Sequence, residues 1–356
     1  MKIRVAVLDM DLRYLNKIIS FFNNQYSDKV EIFGFSDEEV LLKEIKNMNV
    51  DILLLPHSLA EILTHLPDKT APVFMVEGHD VSDIGEYATV CKYQKASNIY
   101  KKLLAVYSEN TEYEFVNNAG EDVCRMIAFC NVAGGVGNTT VALAYAMKLA
   151  ASNRRVFYMD LQAFSKVSVF LSGDVQESLS NVLYSIKSKK KNVWLSIESS
   201  ISRDVSGIDY LKETTTALDL LEMTDDEASV IMDELVKSEL YDYILVDVPF
   251  ALSGYPMNIL KKAQKIIWVS NGTNTVNGKL LRAFQAVSIL DEQKKTTLSA
   301  RTRIVYNGFS SRTGKIIDEQ IIKNMGGIPK FANGSERQIV EQIQDIEVLR
   351  NMVEEL

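Results

Sequence analysis

The 356-residue sequence predicts an α/β protein made of two doubly wound parallel-sheet domains. Three observations predict it. Short, near-continuous apolar runs bounded by turn residues alternate with segments of helical spacing, as expected of parallel strands buried on both faces. The alternation breaks at a polar, acidic, turn-rich stretch, "SENTEYEFVNNAGED" (108–122), and then restarts. A glycine loop, "VAGGVGNTT" (132–140), follows the first apolar run of the second half and opens a helical segment. The expected division is a domain over 1–108, a linker over 109–122 and a nucleotide-binding domain over 123–356.

The elements follow in order. "IRVAVLDMD" (3–11), "VDILLLP" (50–56), "APVFMVEG" (71–78) and "TVCKYQ" (89–94) read as strands. Between them, "LRYLNKIISFF" places Leu12, Leu15, Ile18, Ile19 and Phe22 on one helical face. "SDEEVLLKEIKNM" reads as a helix capped by Ser36, with acids in its first turn. In the second half, "CRMIAFCNV", "RRVFYMDL", "YDYILVDV", "KKAQKIIWVS" and "ARTRIVYNGF" are strand candidates. "NTTVALAYAMKLAAS", "TDDEASVIMDELVKSE" with Thr224 as its cap, "NGKLLRAFQAVSILDEQ" and the C-terminal "SERQIVEQIQDIEVLRNMVEEL" read as helices.

Bulk properties exclude several function classes. Hydrophobic residues are 47% and charged residues 24%, an ordinary globular balance. The net charge of −8 argues against a nucleic-acid partner, because phosphate backbones need basic surfaces. Asp9 and Asp11 interrupt the N-terminal apolar run, so no secretory leader is expected. No apolar run approaches the roughly 20 residues that span a bilayer. Cys91, Cys124 and Cys130 have no metal-ligand or CxxC spacing. The expectation is a cytoplasmic protein with reduced thiols and no direct membrane insertion.

The glycine loop sits where a phosphate cradle must sit, after a buried strand and at a helix start. Successive backbone N–H groups and the positive helix end face an anion there. Thr139 is placed to ligate Mg²⁺ through its hydroxyl, and Thr140 to bond an inner phosphate. Asn138 stands where a phosphate loop normally has lysine.

"AGGVGNTT" resembles the deviant phosphate loop of the ParA/MinD ATPases, normally KGGVGKTT. Two lysines differ: Ala133 replaces the early signature lysine and Asn138 the second. "YMDLQ" resembles the first switch, with Asp160 retained and Gln162 where an aspartate orients the attacking water. "ILVDVP" resembles the second switch, with Asp247 as the Walker B acid. "VYNG" resembles the strand whose asparagine, here Asn307, recognises adenine, and "GGIPKF" the loop that brings Pro329 near the base. The resemblance implies that Gly134, Gly135, Val136, Gly137, Asn138, Thr139, Thr140, Asp160, Asp247, Asn307 and Pro329 bind ATP, with Thr139 and Asp247 serving Mg²⁺. A charge-assisted contact is worth about 1.5–3 kcal/mol. Losing two costs roughly 3–6 kcal/mol, at tenfold per 1.4 kcal/mol. Lys166 is a candidate replacement charge. Phosphoryl transfer relies on positioned positive charge, so hydrolysis is expected to be very slow or absent.

The first half resembles a response-regulator receiver, which is flavodoxin-like, with the acceptor missing. Asp9 and Asp11 stand where receivers hold Mg²⁺, and Lys92 matches the receiver lysine. Yet the acceptor position is Pro56, and the β4 Ser/Thr position is Glu77. Asp9 and Asp11 are therefore expected to be solvated strand-end acids, and His57, His65 and His79 surface residues. A degenerate receiver joined to a ParA/MinD-like domain resembles the CpaE/TadZ family. That resemblance implies a homodimer at a cell pole that recruits the tight-adherence (Flp) pilus secretion machinery. The alternative is an active MinD- or ParA-type ATPase that positions a flagellum, a septum or DNA.

Overall fold

The computed structural model describes residues 2–67, 69–78, 83–85, 87–110, 124–173, 177–190, 192–331 and 333–355. It divides into two units, Met1–Val116 with Lys189–Ser199, and Asn117–Ser188 with Ser200–Leu356. His79 and most of the expected linker, 111–122, lie outside the described residues.

In the first unit the strands are β1 (Ile3–Leu8), β2 (Val30–Phe35), β3 (Ile52–Pro56), β4 (Ala71–Val76), β5 (Asp83–Ile84) and β6 (Tyr87–Cys91). They form one sheet in the order β2-β1-β3-β4-β6-β5. All neighbours are parallel except the two-residue β5 against β6. Leaving out β5, this is the flavodoxin-like order. Alternate residues serve opposite faces, as the pleat requires. Val5, Val7, Ile52 and Leu54 face the helices Leu12–Gln25 and Ala96–Asn110. Ala6, Leu8, Leu53 and Leu55 face the helix Glu38–Met48 and the 3-10 segment His57–His65. Asp37, not Ser36, caps Glu38–Met48, its carboxylate accepting from Val40 N–H at 3.1 Å. In Leu12–Gln25, Leu15, Ile18 and Phe22 are buried, while Leu12 points outward.

A piece of chain from far along the sequence completes this unit. The helix Val193–Ser200 places Leu195 in the same core cluster as Phe22 and Tyr100. Its Glu198 accepts from Lys29 Nζ, Tyr100 OH and Trp194 Nε1.

The second unit has β7 (Arg125–Cys130), β8 (Val156–Asp160), β9 (Ile201–Arg203), β10 (Asp209–Leu211), β11 (Tyr243–Asp247), β12 (Lys265–Ser270), β13 (Thr302–Asn307) and β14 (Lys323–Ile328). The order is β14-β13-β12-β7-β11-β8-β10-β9, parallel except for β9 against β10. Every residue of β8 and β11 is buried, as an unbroken apolar run predicts for central strands. The helix Asn138–Ala151 is buried nearly all round, between the sheet and the last two helices, Glu336–Ile343 and Glu347–Glu355. The C-terminal stretch thus breaks into two helices rather than one. Ser335 caps the first in a reciprocal box with Gln338. Thr224 and Glu227 form the same box at the helix Asp225–Lys237. Among the described residues no helix is long and apolar enough to cross a membrane.

Candidate functional site

The site begins with strand register. β8 and β11 are adjacent, and Asp160 and Asp247 are register partners at their last residues. Between β7 and the helix Asn138–Ala151 runs the glycine loop, so loop and acids meet at the carboxyl ends of the strands, where open α/β sheets bind ligands.

The loop is shaped by backbone conformations that favour glycine. Gly135 has φ +73° and Gly137, which precedes the helix, φ +82°. A Cβ on Gly134 or Gly135 would meet nothing within 4 Å, so the loop presents open space there. Among the described residues, no protein acceptor takes the N–H groups from 134 to 140. These free donors and the positive end of a 14-residue helix make an anion cradle. At Gly137 an added side chain would meet protein. Its Cβ would lie 2.2 Å from Asn307 Nδ2. That amide donates to Val136 O at 2.9 Å and braces the loop from the end of β13.

Asp247 organises the rest. It is fully buried, and its carboxylate accepts four hydrogen bonds among the described residues. Asn138 Nδ2 reaches its Oδ1 at 2.7 Å and Gln162 Nε2 the same oxygen at 2.9 Å. Thr139 Oγ1 reaches Oδ2 at 2.6 Å and Tyr158 OH at 3.2 Å. Burial pushes the Asp247 carboxyl up, and these four donors pull it back. Asp160 has less help: its Oδ1 accepts from Gln162 N–H at 2.9 Å. Burial and the Asp247 charge push its carboxyl up to about 8.

These residues fit a hydrated divalent cation. Oδ1 of Asn138 and Oδ2 of Asp160 are buried and take no hydrogen bond among the described residues. Two buried acidic side chains and one idle amide oxygen suit Mg²⁺, which keeps several of its waters. Thr139 and Asp247, the pair expected to serve the cation, are hydrogen-bonded to each other here. Lys166 is exposed, and no ion pair links it to either acid among the described residues. Thr140 lies half-buried in the first turn, and Pro329 is exposed beyond β14.

Tyr158 was absent from the expected set. It precedes Asp160 by two residues on β8 and so shares its face, a signal the pleat alone provides. Tyr255, whose hydroxyl donates to Leu161 O at 3.1 Å, carries no such signal.

In the receiver-like unit, Asp9 is not a solvated acid. It is buried and ion-paired with Lys92, Nζ to Oδ2 at 2.5 Å. Asp11 caps the helix Leu12–Gln25, accepting from Arg13 N–H and Tyr14 N–H. β3 ends on Pro56, so no carboxylate stands there for Lys92, and the nearest acid takes the cation instead. His57 and His65 lie at the surface.

Comparison with known proteins agrees with this fold. Residues 1–108 match the family model described as "TadZ-like, receiver domain", and residues 124–299 match one described as "AAA domain". The structure superimposes on a ParA family ATPase from Chlorobium tepidum with TM-score 0.51 and 16% identity, over 66% of this chain and 98% of that one. The chain joins a TadZ-like receiver domain to a P-loop domain of the ParA/MinD fold. The same ParA/MinD fold is seen in the septum site-determining protein MinD of Pyrococcus horikoshii, solved with Mg-ADP: TM-score 0.50, 18% identity, 65% of this chain and 95% of that one. In sequence, the ParA/MinD-like domain is 26% identical over 147 residues to the chromosome partitioning protein ParA of Myxococcus xanthus, covering 41% of this chain and 51% of that protein. An uncharacterized protein of Pseudomonas putida is 28% identical over 146 residues, 41% of this chain and 55% of that protein. The chain spans about half the length of the curated relatives it matches.

Proposed function

We propose that this chain is a nucleotide-binding scaffold that localises the assembly of a tight-adherence pilus, with very slow or no ATP hydrolysis. One observation carries the reading. At Asp247 the two positions that hold a lysine and an aspartate in ParA/MinD ATPases are both neutral amides, Asn138 and Gln162, and both donate to the carboxylate. The cradle for a phosphate chain is intact, while the positive charge that would stabilise a phosphoryl-transfer transition state is missing.

Residues 134–140 bind the phosphates, Asn307 and Pro329 border the base, and Thr139 with Asp247 hold Mg²⁺. Bound Mg²⁺ supplies charge neutralisation for the phosphates and for the acid pair. Gln162 can orient a water through its amide, yet it cannot take the proton of that water as a carboxylate can. The TadZ-like receiver domain supports the pilus assignment over the other ParA/MinD roles. The partners are a second copy of the chain and cytoplasmic components of the pilus secretion apparatus. These partners, rather than an inserted helix or nucleic acid, hold the protein at a cell pole.

The test is thermal unfolding with ATP or ADP, with and without Mg²⁺, beside an overnight hydrolysis assay. Ligand at 100 times its Kd adds about 2.7 kcal/mol to stability. Gly137→Val is expected to abolish that gain, because its left-handed backbone and the Asn307 amide leave no room for a side chain. Stabilisation without turnover supports the scaffold. Turnover at the rate of ordinary family members favours an active positioning ATPase, and no stabilisation at millimolar ATP rejects nucleotide binding.

A further inference from the structure

Gln162 does more than replace a carboxylate. Its backbone N–H donates to Asp160 Oδ1 and its side chain to Asp247 Oδ1, each at 2.9 Å, so one residue bridges both acids. A carboxylate only accepts, so the amide nitrogen must face it. The preceding residue is fixed too. Leu161 N–H donates to Asp247 O at 2.8 Å, and Leu161 O accepts from Tyr255 OH at 3.1 Å. From the other side, Asn138 in the first turn of the loop helix shares the same Asp247 oxygen as Gln162. The segment after β8 and the phosphate loop are therefore tied to one carboxylate by protein groups alone.

We infer that Gln162, with Asn138, is a latch that holds the segment after β8 closed on Asp247 whatever nucleotide is bound, so that the site does not discriminate ATP from ADP. In nucleotide switches, such a segment is ordered by contacts to the γ-phosphate and released when it leaves. A ligand shifts a conformational equilibrium only by its differential affinity for the two states. Here the closed state needs no ligand contact, so the γ-phosphate has little left to shift. An aspartate at 162 cannot play this part. It has no side-chain donor and would set a third carboxylate beside Asp160 and Asp247, so its segment would need a bound cation to close. The paired amides at 138 and 162 thus make the site a holder of nucleotide rather than a reader of it. The inference rests on nucleotide binding as proposed above, but the latch exists in the ligand-free chain and is tested there first.

Hydrogen exchange at the amides of Leu161 and Gln162 reads the latch directly. In the ligand-free full chain both are expected to be protected, and ATP·Mg²⁺ or ADP·Mg²⁺ to change that protection by no more than about threefold. Titration is expected to give ATP and ADP affinities within the same factor. Gln162→Glu, which keeps the shape and removes the donor, and Gln162→Ala, which removes the donor without adding charge, should each lower ligand-free protection by about tenfold or more, the scale of one charge-assisted hydrogen bond. Either variant should also make ATP bind about tenfold tighter than ADP. If the wild-type amides exchange freely until ATP is added, or if both variants keep full protection, the latch is wrong. If neither nucleotide binds, the ligand-free comparison still decides it, and the binding proposal fails on its own.

Discussion

Asp204, in the turn between β9 and β10, shows how a single acid ties distant chain together. Its side chain is buried, and both its oxygens take the guanidinium of Arg337, at 2.8 and 3.0 Å. Ser172 N–H and Ser206 N–H add bonds of 2.8 Å each. Burial alone would push the carboxyl up, but Arg337 and these donors outweigh it and hold it far below the usual carboxylate range. A depressed folded-state value means stability that is present above the unfolded pKa, about 4, and lost as pH falls through the folded one. Asp204→Asn is therefore expected to cost about 3 kcal/mol at pH 7, as for a buried pair that loses one partner. The gap from wild type should narrow as pH drops below about 4. Thermal unfolding of both chains from pH 3 to 8 checks it; a gap independent of pH would assign the loss to packing instead. Residues of this kind were not legible in the sequence. Asp204 and Arg337 lie 133 positions apart and belong to no local pattern. Asp160, Asp247 and Asn138 were legible because each lies in a short local motif that resembles one of the ParA/MinD ATPases.

At the scale of elements, local patterns carried the central strands and failed at the margins. β1, β3, β4, β7, β8, β11, β12 and β13 stood out as apolar runs. β2, "VEIFGF", alternates and contains a glycine, and β9 and β10 have three residues each, too few to show a period. β14 hides behind Gly326 and Gly327, which read as a loop; Gly326 has φ +119°, and the pairing with β13 shifts register there. The helix Val193–Ser200 was not anticipated at all, since nothing in "VWLSIESS" says which sheet it will cover. Leu195 on that helix is 1% exposed, in the core of the receiver-like unit. Leu195→Ala is expected to cost about 3 kcal/mol, the usual toll for a buried leucine. The loss should appear as reduced hydrogen-exchange protection on the helices Leu12–Gln25 and Ala96–Asn110, with the phosphate-loop helix unchanged. Equal loss in both units, or none in the first, would mean that the helix is not a working part of the receiver-like core.

The whole molecule raises the question of how two copies associate. In the ParA/MinD family that the second domain resembles, the signature lysine of one copy reaches the nucleotide of the other. Ala133 has no charge to offer, so a dimer of this chain must be held by protein surface more than by shared nucleotide. The full chain is expected to be dimeric without ligand, with ATP·Mg²⁺ tightening it by less than about tenfold, below the value of one charge-assisted contact. Deleting residues 1–110 should weaken the dimer, but it also strips the cover from Leu195, so aggregation would confuse the result. The deletion is better combined with Leu195→Ser, which removes the leucine that packs in the receiver-like core. The opposite manipulation is cleaner still. Ala133→Lys restores the bridging cation in an otherwise intact chain and should make dimerisation nucleotide-dependent, with a gain of about tenfold or more on adding ATP·Mg²⁺. Light scattering over a concentration series, with and without nucleotide, measures both. A wild-type chain that is monomeric until ATP arrives would show that the nucleotide still joins the two halves and that the lost lysine matters less than its chemistry suggests.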